Sequence, residues 1–155
     1  MSLSMESNWE WDDPEIPDEE VLYRKVRKIP DHRTWDPELR RYYPTAAALR
    51  RKKNEGMSTH ANSVLLMRGR QPDSLYEPSK YDAVGFAVRV VREPDIIGII
   101  FTPAGELEEA DPDLRAAHAE VRPKNPDKDR VTWSKVVDRI IDQSSWIEQR
   151  GLPAR

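Results

Sequence analysis

The segment VTWSKVVDRIIDQSSWIEQRG, residues 131–151, limits the possible folds more than any other stretch of the chain. Trp133, Val136, Val137, Ile140, Ile141, Ser144 and Ile147 recur at helical spacing, while Lys135, Asp138, Arg139, Asp142 and Glu148 fall elsewhere. A helix with one apolar stripe must bury that stripe, and here it predicts packing against a sheet. Asp129 or Thr132 is suited to cap its start and Gly151 its end.

The strands of such a sheet are readable upstream. VLYRKVRKI (21–29) alternates, with Leu22, Arg24, Val26 and Lys28 on one side, and Pro30 ends it. AVGFAVRVV (83–91) alternates as a strand, and IIGIIF (96–101), an unbroken apolar run between Pro94 and Pro103, predicts a central strand covered on both faces. AHAEVR is a further strand, ending at Pro123, and GELEEADPDLRA before it is a loop with room for a turn of helix. GMSTHANSV predicts a short strand running into a brief helix through Met67, capped by Asn62 or Ser63. RGRQPDSLYEPSKYD is a loop, its period broken by Gly69, Pro72 and Pro78. A short helical turn is expected after Pro37, and a helix over 45–54 from its alanines and long basic side chains, with Gly56 as a stop.

The expected fold is therefore α+β, a mainly antiparallel sheet with the C-terminal amphipathic helix packed on it, in a single domain over residues 21–150. Residues 1–20, with Trp9, Trp11 and Ile16 among acids and prolines, predict an acidic extended arm whose tryptophans have the means to dock on that domain. The opening MSLS reads as an added leader ahead of a start at Met5.

Composition excludes several functions. At 155 residues one core suffices without metal or disulfide support, and the absence of cysteine removes thiolate chemistry, iron-sulfur clusters and cysteine-bound zinc. Charged residues are 34% and hydrophobic residues 37%, which with 13 prolines predicts sizeable loops. No apolar run approaches the roughly 20 residues of a membrane span, and the acidic start lacks the order of a signal peptide, so a soluble, cytoplasmic protein without a membrane partner is expected. Neither GxGxxG nor GxxxxGK[ST] occurs, which removes doubly wound dinucleotide binding and P-loop hydrolysis.

Net charge is only -3, but residues 1–20 carry acids and no Lys or Arg, whereas 24–53 is rich in Lys and Arg. This asymmetry permits an anionic ligand or acidic protein surface to bind the second segment, and equally permits the arm to neutralise it. Trp35, Tyr42 and Tyr43 interleave with Arg33, Arg40 and Arg41, a pattern suited to stacking on unpaired nucleic-acid bases or to core aromatics flanked by surface arginines.

Ser58 and His60 lie two apart on one predicted strand, and His118 and Glu120 on another, so each pair shares a face. If the strands are neighbours, a carboxylate beside an imidazole would raise its pKa and fix its tautomer, as general acid-base catalysis requires. Otherwise His60 belongs to a polar turn and His118 bonds locally. Imidazole and carboxylate also suit zinc or iron, but HxE is too small a set, and neither metal nor cofactor is expected. Arg24, among apolar neighbours, demands a partner, either a carboxylate such as Glu120 or a phosphate-bearing ligand.

The order LYRKV, PTAAALRRKKNEGMSTH, a valine-rich strand and DPDLRAAHAEV resembles a group of small bacterial proteins with an early arginine strand, a Gly-Met-Ser strand and a late Ala-His-Ala segment. The resemblance spans residues 21–122; Thr45, Leu49 and Arg115-Ala116-Ala117 depart from its pattern, and it implies positions rather than a reaction. The order Arg24, Ser58-Thr59, Glu120 is also similar to ADP-ribosyltransferase-like enzymes. That resemblance implies an arginine holding the phosphates of NAD or a related nucleotide, a Ser-Thr pair at the nicotinamide ribose and a glutamate stabilising an oxocarbenium-like transition state. The function expected first is a non-catalytic binding or accessory domain using its basic segment; the alternative is such an enzyme. No oligomeric state follows from the residues.

Overall fold

The computed structural model describes residues 9–52, 54–127 and 130–152. The expected leader at 1–4, the first part of the acidic arm and the Asp129 cap lie outside the described residues. Eight strands occur among the described residues: β1 (Val21–Arg27), β2 (Arg33–Asp36), β3 (Arg41–Pro44), β4 (Met57–Ala61), β5 (Tyr81–Ala87), β6 (Ile97–Phe101), β7 (His118–Pro123) and β8 (Ser145–Ile147). The helices are α1 (Asn62–Met67), α2 (Val88–Val91), α3 (Pro112–Ala117) and α4 (Arg130–Gln143). Six strands form one antiparallel sheet in the order β6-β7-β4-β1-β5-β8, and β2-β3 form a separate hairpin. The α+β expectation with a predominantly antiparallel sheet holds.

Alternation along the strands sends two apolar sets to opposite faces. On one face Leu22, Val26, Met57, Val84, Phe86, Ile97, Ile99 and Val121 pack against Trp133, Val136, Val137 and Ile140 of α4. The other face carries Tyr23 and Ala83, covered by Leu65 of α1, Leu75 and Tyr76 of the 68–80 loop, and Leu114 and Ala117 of α3.

Several local expectations are corrected. The helix expected over 45–54 is a turn at 46–49. The Ala48 carbonyl accepts Arg24 Nε (3.1 Å) and the Leu49 carbonyl accepts Trp133 Nε1 (3.2 Å), so tertiary donors take acceptors a helix would use internally. The turn after Pro37 joins β2 and β3: Asp36 Oδ1 accepts the amides of Glu38 and Leu39, and Arg40 reverses the chain at φ 52°. Residues 88–91 leave the strand for a helical turn, which buries Val88, Val90 and Val91 together. Helix α4 stops at Gln143, and 145–147 returns as β8 on the outer side of β5, so Trp146 and Ile147 reach opposite faces rather than one helical stripe.

IIGIIF is an edge strand, not a central one. Its outer edge is covered by the acidic arm: Asp13 N donates to Ile99 O (2.8 Å) and Ile99 N to Asp12 Oδ1 (3.1 Å), which satisfies backbone groups an open edge would expose. Arg92 fastens the arm, bonding Asp12, Asp18 and the carbonyls of Ile16 and Asp13. Trp9 docks with its indole N–H on Pro123 O (2.9 Å) and its ring under Arg122. Neither Asn62 nor Ser63 caps α1 with its side chain; Glu20 Oε1 accepts Ser63 N instead (3.0 Å).

Candidate functional site

β4 and β7 are direct neighbours, in a register that sets His60 opposite His118 and Ser58 opposite Glu120. Opposed residues of an antiparallel pair share a face, so all four side chains stand on the face that carries Tyr23. The sequence spacing and the pairing together thus produce the juxtaposition that acid-base chemistry would need.

Three of the four, His60, His118 and Glu120, are nevertheless engaged elsewhere. His60 is buried, with ring Nδ1 2.6 Å from Tyr76 Oη. Burial first, then the neighbouring His118, Lys25 and Arg24, drive its pKa down to about 3, so the imidazole is neutral. Burial also pushes the Tyr76 hydroxyl up, and its only other acceptor among the described residues, Tyr23 O, is 3.5 Å away. The hydroxyl therefore donates to His60 Nδ1 and the His60 proton sits on Nε2.

His118 Nδ1 lies 2.8 Å from both the carbonyl and the hydroxyl of Thr102. A carbonyl only accepts, so Nδ1 carries a proton and Nε2 is the nitrogen left for other chemistry. The His60 and His118 rings meet edge to face at 5.9 Å between centroids. Glu120 Oε1 accepts from Gly56 N and Arg122 Nε, both at 3.1 Å. A methyl at Gly56 would stand 2.7 Å from Val121 O and 2.8 Å from that carboxylate oxygen, so only glycine allows this approach. Ser58 is exposed and its hydroxyl forms no hydrogen bond among the described residues.

Arg24 and Thr59 do not join this group. Arg24 follows Tyr23 and Thr59 precedes His60, so both side chains point to the other face of the sheet. The Thr59 hydroxyl is buried and donates to Ala119 O (2.9 Å). Arg24 bonds the carbonyls of Ala48 and, through NH1 at 2.9 Å, Ser58; of the two partners the sequence offered, a carboxylate such as Glu120 or a phosphate-bearing ligand, Glu120 lies on the opposite face. Among the described residues no three His, Asp or Glu side chains meet at metal-binding separation.

A second grouping, which strand periodicity could not reveal, lies where β1 ends and the 46–49 turn begins. Partial burial, followed by the charges of Arg27, Arg50 and Arg24, holds half-buried His32 below its ordinary pKa, with Asp31 in opposition. Burial holds the Arg24 guanidinium below its ordinary pKa, Tyr76 opposes this, and Arg50 adds to it. Arg27 and Arg50 are exposed and form no ion pair among the described residues. Their presence in a basic segment was legible; their convergence on His32 required the fold. Compared with protein-family models, curated proteins and solved structures, the chain matches none.

Proposed function

We propose that this chain is a non-catalytic binding domain for an anionic partner, held at the basic end of β1. The observation that carries this reading is the meeting of β1 with the 46–49 turn, where Arg24 Nε donates to Ala48 O (3.1 Å), Thr45 N donates to His32 O (3.0 Å), and Arg27 and Arg50 stand exposed with no ion pair among the described residues. Several like charges opposed by Asp31 create a local positive field in a molecule whose net charge is -3. An anion entering that field relieves repulsion that the folded chain otherwise bears.

The alternative of an ADP-ribosyltransferase-like enzyme loses a geometric requirement. Its arginine and its serine-glutamate pair would have to face one ligand, whereas Arg24 stands across the sheet from Ser58 and Glu120. His60, the most perturbed group of the candidate acid-base set, is sealed under Tyr76.

The test is retention on immobilised heparin over a salt gradient, for the full chain and for the double reversal Arg27→Glu/Arg50→Glu. The wild type is expected to be retained and released by salt, because counterions compete for the same charges, and the variant to pass through. Retention unchanged by the double reversal would remove the proposal.

A further inference from the structure

The β2–β3 hairpin lies outside the six-stranded sheet, and it displays aromatic rings instead of burying them. Trp35 and Tyr42 are register partners on one face of the hairpin, their rings edge to face at 5.1 Å. They are 49% and 43% exposed, whereas Tyr23, Tyr76 and Trp133 are all buried. Of the two readings the sequence allowed for Trp35, Tyr42 and Tyr43, core aromatics are therefore set aside for Trp35 and Tyr42, while Tyr43 is half-buried.

The rings are held in place. Arg33 stacks on Tyr42 at 4.4 Å and bonds Asp82 at 2.6 Å, Trp146 Nε1 donates to Tyr42 O at 2.9 Å, and Thr45 N closes the base of the hairpin on His32 O at 3.0 Å. At the tip Arg40 and Arg41 are exposed and form no ion pair among the described residues. At the base His32 belongs to the cluster of Arg27 and Arg50. Fixed, solvent-facing rings are thus flanked at both ends by exposed guanidinium groups that form no ion pair among the described residues, with Asp36 opposite Arg41 at the tip and Asp31 near the base.

We propose that this hairpin is a stacking platform for single-stranded nucleic acid, with bases lying on Trp35 and Tyr42 and phosphates held by Arg40 and Arg41. The inference rests on the anion-binding reading above and names its partner. Unpaired bases offer flat π faces and a regularly spaced negative backbone, which is the complement of rings bracketed by arginines. An acidic protein surface would match the charge but gives the two rings no planar partner.

The experiment compares binding of a fluorescein-labelled oligothymidylate with that of an abasic oligonucleotide of equal length and charge, alongside heparin retention. The thymidylate is expected to bind more tightly than the abasic strand. Trp35→Ala should weaken thymidylate binding at least about fivefold while leaving heparin retention in place, and Trp35→Phe should restore most of the loss. Arg40→Glu/Arg41→Glu should weaken both oligonucleotides and flatten their salt dependence. Equal binding of the two strands, or thymidylate binding indifferent to Trp35→Ala, would overturn the inference while heparin retention upheld anion binding; loss of both polyanions in the wild type would bring down both readings.

Discussion

His60 is an imidazole placed where its charged form is excluded. Its folded pKa, about 3, lies below the ordinary value of 6.5, so the unfolded chain binds the proton first. Stability from keeping it neutral is fully present above about pH 6.5, declines as pH falls through that value, and is gone below about pH 3. Lowering the pH from about 7 to about 5 is expected to cost on the order of 2 kcal/mol from this residue. His60→Gln, which keeps a polar partner for Tyr76, should have a shallower loss over that range in denaturant titrations; parallel curves would show that the imidazole is not the titrating group. The shared faces of Ser58 with His60 and of His118 with Glu120 were legible because period 2 is simple geometry, whereas the pairing of their two strands came only with the fold. The ties of His118 to Thr102 and of Glu120 to Gly56 were not legible, since they join residues without sequence pattern.

Among the elements, β6 shows how an edge is made safe. Its apolar run was readable, but an apolar strand reads alike in the middle of a sheet and at an edge covered by another segment. The arm lies so close to β6 that a methyl at Gly98 would overlap Asp12. Gly98→Ala should push the arm off the edge at about 1–3 kcal/mol, speeding amide exchange at Ile99 and proteolysis within 9–20. Gly105→Ala, whose new methyl would meet nothing nearer than Glu108 Oε1 at 3.9 Å, serves as the control and should change neither. Unaltered exchange at Ile99 in the Gly98 variant would mean that the arm does not depend on this contact. The predicted 45–54 helix failed for a related reason: intrinsic propensity was outweighed by Arg24 and Trp133, which claim carbonyls from outside the segment.

Across the whole molecule, one buried side chain after β8 ties the C-terminal segment to the 68–80 loop. Gln149 is 3% exposed; its Oε1 accepts the amides of Leu75 and Tyr76, and its Nε2 donates to the carbonyls of Pro72 and Ile147. Gln149→Ala leaves buried donors and acceptors unmet, and a loss of about 2–4 kcal/mol in global unfolding is expected, against at most about 0.5 kcal/mol for exposed Glu148→Ala. Equal effects of the two substitutions would show that the four bonds do not couple these regions. From its residues alone the chain determined a layered α+β fold, its principal strands and an amphipathic helix, because alternation and helical period are written locally. Strand order, the edge position of β6, the division of Arg24 from Ser58 and Glu120, and the exposure of Trp35 and Tyr42 were decided only in the folded molecule. Each depends on which distant segment supplies the neighbouring face, edge or hydrogen-bond partner, and no local pattern records that choice.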